Sequence, residues 1–229
     1  MQKAFETATD QLKTQQKAVT GQINITAPMS VGSVFISPLL AKFMSLYPDI
    51  QIELDLSDKA VNLSESHYNL AIRAASQLPD SSLHAKKLHD YDYVIAGSPQ
   101  YFENYGYPSQ PSELSKHRAI TCITSHQSLQ GKWPFDGPQG KVFVDLAVVS
   151  RITHMWVQKQ FALEGLGLIR VPRYWVKDEL STGKLQATLT DHMSDTSSLF
   201  AIYKQANPTP LKIKTLIDYL TQHLPPFLS

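Results

Sequence analysis

Between residues 22 and 56 the chain reads strand, helix, strand, and this run narrows the possible folds more than any other feature. Ile23 and Ile25 alternate with Gln22, Asn24 and Thr26 at the two-residue period of a half-buried strand. Pro28 and Ser30 end that strand and open a helix, closed by Tyr47-Pro48-Asp49, whose apolar face is Val31, Val34 or Phe35, Leu39, Phe43 and Leu46. Ile50, Ile52, Leu54 and Leu56 alternate again as a second strand. Two strands joined by one helix in so short a span form a βαβ unit, in which the crossover is right-handed and the strands lie parallel.

The pattern continues along the chain. Leu70-Ala71-Ile72 is an unbroken apolar run, expected as a buried strand. Segments 83–88 and 93–96 read as two strand pieces with a bend at Asp90-Tyr91-Asp92, after which Ser98-Pro99 caps a short helix. Strands are expected at 119–123, 142–146, 148–150, 166–171, 185–189 and 199–203, with helices over 153–164 and near 175–180. Thr209-Pro210 supplies an N-cap and an N1 proline for a last helix, whose apolar face is Ile213, Ile217, Leu220 and Leu224. The expected class is α/β, with one lobe, a second inserted into it, and a return to the first. With 229 residues, 42% of them hydrophobic, both lobes have enough apolar surface to bury a core. Ahead of Gly21, Phe5, Ala8, Leu12, Gln15 and Val19 recur every three or four residues. That narrow stripe is either the end of a longer paired helix or a frayed terminus.

Composition removes several classes of function. Twenty-one basic and 20 acidic residues leave a net charge of +1 without the basic footprint that phosphate backbones require, so this segment alone is not expected to hold DNA. The single cysteine, Cys122, permits neither an internal disulfide nor a zinc set and reads as a small buried hydrophobe. No signal-peptide core and no run near the ~20 apolar residues of a membrane span is visible, so a soluble cytoplasmic protein is expected. Gly165-Leu166-Gly167 lacks a third glycine and follows a helix, which suits a helix C-terminus rather than a dinucleotide loop. Gly32-Ser33 and Gly97-Ser98 fall outside any nucleophile elbow, and the histidines are scattered, so no enzyme, cofactor or metal is expected.

What remains are helix starts beside strand ends. In open α/β sheets ligands bind outside the carboxyl ends of the strands, where helix N-termini favour anions. Two segments qualify, 26–30 and 150–154; Ser30 and Thr153 also read as plain helix caps. Arg73, at the end of the buried run, either reaches the cleft mouth or pairs with a surface carboxylate. Trp133, Trp156 and Trp175 are expected in the core or at an interface.

The segments GQINITAPMSVG, PLLAKFMSLYPDIQIEL, NLAIRAA, SSLHAKKL, IAGSPQYFENYGYPSQPSELSKH, ALEGLGLIRVP and TGKLQATL occur in an order and spacing that resembles the effector-binding domain of LysR-type transcriptional regulators. The resemblance implies two Rossmann-like lobes joined by two crossover strands, similar to periplasmic solute-binding proteins. The crossovers would lie near 94–97 and 199–203. Its domain map would be the end of a linker helix at 1–20, one lobe from 21–96 with 200–229, and the other from 97–199. It implies a small-molecule effector in the interlobe cleft, touched by Pro28, Ser30, Val31 and Ala74 from one lobe and Ser98, Ile152 and Thr153 from the other or the hinge. It also implies a homodimer or tetramer, with helix 31–46 of one subunit beside helix 153–164 of its partner. DNA would be bound only through an N-terminal winged helix-turn-helix that this segment lacks. The mix of aromatics and hydroxyls suits a small carboxylate or an aromatic effector. A transport-associated solute-binding protein of similar architecture is the alternative.

Overall fold

The computed structural model describes residues 19–59, 61–75, 83–123, 131–137, 140–193, 196–204, 206 and 208–224. The apolar stripe at Phe5, Ala8, Leu12 and Gln15 lies outside them. The chain divides into two compact units, Met1–His89 with Ser198–Ser229, and Asp90–Ser197. It passes between them twice, within strand β4 (Leu83–Gly97) and within strand β11 (Thr196–Lys204).

In the first unit, β1 (Gly21–Ala27) is the central strand. It runs parallel to β2 (Ile50–Leu56) from Gly21↔Ile50 to Ala27↔Leu56, and parallel to β3 (Leu70–Ala75) through Ile25↔Leu70 and Thr26↔Ala71. The expected βαβ unit is therefore present, with its parallel pairing. β11 adds to β3 in the antiparallel sense, from Ser198↔Ala75 to Tyr203↔Leu70. Ile23, Ile25, Leu70 and Ile72 are fully buried, as a sheet covered on both faces demands.

Helix α1 spans Met29–Leu46 and buries Val31, Phe35, Ile36, Leu39, Leu40 and Phe43. Of Val34 and Phe35 it is Phe35 that faces in, within a wider π turn, Gly32–Ile36, and Leu46, the last residue of the helix, faces out. Pro38 explains that turn. A proline inside a helix has no N–H to give and crowds the carbonyl four residues back. Widening relieves the crowding: Ser37 N–H bonds Gly32 O, and Ser37 Oγ reaches Ser33 O at 2.8 Å. By length and composition alone α1 meets the minimum for a membrane helix, yet Ile36, Leu39 and Phe43 are core residues of the protein. At Gly32 α1 passes close to β2: a Cβ there would stand 2.3 Å from Leu56 Cδ2, so a larger residue would have to push the Leu56 side chain aside.

The final helix, Leu211–His223, buries Ile213, Leu216, Ile217 and Leu220, and its Tyr219 ring lies 5.3 Å from that of Phe43. The expected Thr209 cap does not form. Pro210 is itself the N-cap residue, with ψ 133°, and its carbonyl accepts from Ile213 and Lys214 N–H. Proline fixes φ but leaves ψ free, so it serves just outside a helix as readily as at its first position.

In the second unit β4 pairs antiparallel with β9 (Ile169–Pro172) and with β10 (Gln186–Thr188). β5 (Arg118–Cys122) pairs parallel with β8 (Ala147–Ile152), and Ala119 bridges Leu168. The bend expected at Asp90-Tyr91-Asp92 is absent, and β4 is one strand of 15 residues. Exposed Asp90, buried Tyr91 and exposed Asp92 are the alternation of a continuing strand, with Asp92 bound by Arg173 Nε at 2.6 Å. A hairpin of β6 (Lys132–Gly137) and β7 (Gly140–Asp145) was expected only in its second arm. Pro134 argues against a strand, but β6 pairs with β7 alone among the described residues, and an edge strand tolerates proline. Trp133 and Phe135, on either side of Pro134, close a core cluster with Ile95, Tyr101, Phe102, Leu114 and Leu168.

Candidate functional site

Three helix starts carry the residues singled out above, and they are built differently. Helix α1 begins after Pro28, which offers no side-chain cap. Gly32 N–H is the first to bond a helix carbonyl, Pro28 O at 2.7 Å, and the N–H groups of Met29, Ser30 and Val31 find no acceptor among the described residues. Ser30 therefore does not cap α1; it stands in the first turn, 9% exposed, with no hydrogen-bond partner for its hydroxyl among the described residues. Pro28 is half-buried and Val31 buried.

Arg73 on β3 comes to the same corner. Its Nη1 donates to Ile72 O at 2.8 Å, and its Nη2 to Thr26 Oγ1 at 3.0 Å, with a longer 3.4 Å contact to Lys59 O. Thr26 is fully buried and lies two residues before Pro28, so the guanidinium sits at the carboxyl ends of β1 and β3. Of the two readings left open by the sequence, pairing with a carboxylate is not realised: no ion pair involves Arg73 among the described residues. Desolvation by burial lowers its pKa, opposed by the fields of Asp58 and Asp55. Asp55 itself accepts from Tyr68 OH at 2.8 Å. Ala74, next along β3, is exposed beyond the last residue of that strand paired with β1.

In the second unit helix α2, Pro99–Tyr105, is capped as expected, Ser98 Oγ accepting from Tyr101 N–H at 3.3 Å. Helix α3, Met155–Leu163, is capped by His154, whose Nδ1 accepts from Trp156 N–H at 3.3 Å. Thr153, expected as that cap, is one residue too early and exposed. Helix α3 ends as read from the sequence: Gly165 takes φ 73°, Leu166 N–H bonds Phe161 O and Gly165 N–H bonds Ala162 O.

The register sorts the second unit's candidates. Ile152, the last residue of β8, pairs with Cys122, the last of β5, so Ile152 stands at and Thr153 just past the carboxyl ends of these strands. Ser98 follows the end of β4, where Ala96 pairs with Ile169 and Leu168 bridges Ala119 at the start of β5. Three residues of strand, roughly 10 Å, separate Ala119 from Cys122, so Ser98 and Ile152 belong to opposite ends of β5. Within the first unit, by contrast, Pro28, Ser30, Val31 and Ala74 all gather at the carboxyl ends of adjacent strands. Sequence reasoning gave His154 no role, although a histidine directly before an apolar helical stretch is the available signal. Among the described residues no group of three or more His, Cys, Asp or Glu is placed to hold a metal.

Residues 16–225 match the family model of the LysR substrate binding domain. The HTH-type transcriptional regulator CrgA of Neisseria meningitidis serogroup B is 27% identical over 205 residues, covering 89% of this chain and 67% of that protein. The solved structure of CrgA, a LysR-type transcriptional regulator, matches with a TM-score of 0.81 at 25% identity, over 96% of this chain and 73% of that one. The full-length structure of the Vibrio cholerae virulence activator AphB, a member of the LTTR protein family, gives 0.77 at 25% identity, over 96% of this chain and 75% of that one. The chain thus spans two thirds to three quarters of the length of these regulators. Its class is α/β with two Rossmann-like units of the periplasmic-binding-protein type, and its relatives are transcription regulators rather than enzymes. On the match of its residues 16–225, the chain belongs to the LysR substrate binding domain family.

Proposed function

We propose that this chain is the effector-sensing and oligomerising part of a cytoplasmic LysR-type DNA-binding regulator, and that it catalyses no reaction. A small molecule binds at the first unit against Pro28, Ser30, Val31 and Ala74, and the family resemblance adds Ile152 and Thr153 of the second unit. Ser98 is left to its helix. The observation that carries the reading is the start of α1, an 18-residue helix whose first-turn N–H groups lack acceptors among the described residues, at the carboxyl ends of two parallel strands. Such a corner favours a polar or anionic ligand group. An effector that binds one arrangement of the units more tightly shifts the population of the whole regulator toward it. A coupling of roughly 1–3 kcal/mol suffices for a useful response.

DNA reading belongs to the whole regulator through a winged helix-turn-helix, and small-molecule control reaches it through the oligomer. Val34, Met44 and Leu46 on α1 and Trp156 on α3 are exposed apolar residues suited to the family's subunit contact between these two helices. The reading as a transport solute-binding protein is not favoured, because the matching relatives are regulators.

A thermal-shift screen with organic acids, aromatics, amino acids and inorganic anions tests the reading. A stabilising compound whose effect is lost in Thr153→Ala or Ser30→Ala, with the fold intact, supports it. Compounds that bind equally well to both variants remove the site assignment. Sedimentation that finds a monomer at all concentrations removes the oligomerising role.

A further inference from the structure

We infer that the effector group bound at the first unit is an anion, a carboxylate or other oxoanion, and that Arg73 is the residue that selects its charge. The inference rests on the effector-sensing reading and adds to it the chemical class of the ligand and its specificity-determining residue.

Three observations converge. First, Arg73 is a half-buried cation whose described hydrogen bonds all end on neutral oxygens: Ile72 O, Thr26 Oγ1 and Lys59 O. A guanidinium taken partly out of water is normally compensated by a carboxylate. Here Asp58 and Asp55 are near enough to be felt, yet neither forms an ion pair with it, and Asp55 is engaged by Tyr68. Second, these bonds hold the fork rather than saturate it. Five N–H donors are available to a guanidinium, and three contacts leave donors to spare. Third, Thr26, which takes one of those bonds, leads within two residues into the uncapped start of α1. There Ser30, a residue 9% exposed, carries a hydroxyl that bonds no described group, and the N–H groups of Met29, Ser30 and Val31 lack acceptors among the described residues. A neutral ligand would leave the guanidinium with no ion pair among the described residues and the positive helix end without a counter-charge. An anion satisfies both, and a planar carboxylate can take two parallel bonds from the fork.

The test uses the 229-residue chain with sulfate and malonate as probes, malonamide as the neutral isostere of malonate, and chloride at equal ionic strength as the baseline. Sulfate and malonate are expected to raise Tm saturably while malonamide does not. Arg73→Gln is expected to weaken malonate by about tenfold or more, the loss of a charge-assisted pair. A purely structural Arg73 would lower the Tm of the free variant and leave the anion-dependent increment unchanged, which overturns the inference. Should Arg73→Gln fail to fold, Arg73→Lys carries the test: malonate affinity falls several-fold although net charge is kept, and unchanged affinity overturns the inference. No saturable increment from either anion also overturns it. A neutral compound from the screen that stabilises the wild type and Arg73→Gln alike, but not Ser30→Ala, overturns the anion class and leaves the effector reading standing.

Discussion

Helices α2 and α3 of the second unit and helix α1 of the first start in opposite ways. In Asp90–Ser197, α2 and α3 are closed by their own chain, Ser98 Oγ accepting from Tyr101 N–H and His154 Nδ1 from Trp156 N–H. In the other unit α1 starts behind a proline that caps nothing, and Ser30, the hydroxyl best placed in sequence to help, bonds no described group. A helix with unsatisfied first-turn donors stays in place only if its side holds it. α1 is so held, by Phe35, Ile36, Leu39, Leu40 and Phe43. α2 and α3 close their first turns with their own side chains, whereas the first turn of α1 is left open among the described residues, where we propose that a ligand binds.

The comparison can be broken most forcefully at Phe43, which is fully buried between the sheet and the ring of Tyr219. Phe43→Ala should destabilise the protein by about 3–5 kcal/mol in chemical denaturation, as large-to-small core changes do. A loss below about 1 kcal/mol would mean that α1 is not anchored by its side. Next in size, Ser98→Ala removes a true cap and should cost about 1 kcal/mol. Equal stability of that variant and the wild type would dissolve the contrast from the other direction.

A pH-dependent effect sharpens the second unit's side of the comparison. Tyr101 OH accepts from Arg118 N–H at 3.0 Å and lies within hydrogen-bond distance of His117 Nδ1, 3.1 Å, the direction of that bond being set by the histidine tautomer. Desolvation by burial lowers the His117 pKa from the usual 6.5, with Glu113 opposing. Because the folded value is depressed, the unfolded chain binds the proton first. The stability this group contributes is full above about 6.5 and is lost progressively as pH falls below it. Denaturant midpoints between pH 7.5 and 5 should therefore fall less steeply for His117→Gln than for the wild type; parallel curves would refute the assignment.

The smallest expected effect on stability is Ser30→Ala, within about 0.5 kcal/mol of wild type, because the hydroxyl caps nothing. Its effect on ligand binding should nonetheless be clear, and that separation is the signature of a residue kept for a partner. A loss near 1 kcal/mol in the ligand-free protein would make Ser30 an ordinary cap.

Much of this was legible in the residues. The alternation at Ile23, Ile25, Ile50 and Ile52 and the helical spacing of Val31, Leu39 and Phe43 were enough for the βαβ unit, since burial period is a local property. The glycine end of α3 was equally readable, because a left-handed residue is a local demand that Gly165 meets. The cap assignments were less secure. Thr209 and Thr153 sit one residue from where the helices start, and a shift of one residue costs the local sequence little. Pro134 concealed β6 because its missing N–H matters only if a neighbour needs it, and edge position is not written locally.

The sequence by itself determined the α/β class, the strands and helices of the first unit, and the family to which the segment order points, because side-chain periodicity encodes which face is buried. Only the tertiary structure decided that Ser98 stands at the opposite end of β5 from Ile152, and that Arg73 turns to Thr26 rather than to a carboxylate. Strand register and the destination of a long, charged side chain depend on partners distant in sequence, and no local pattern carries that information.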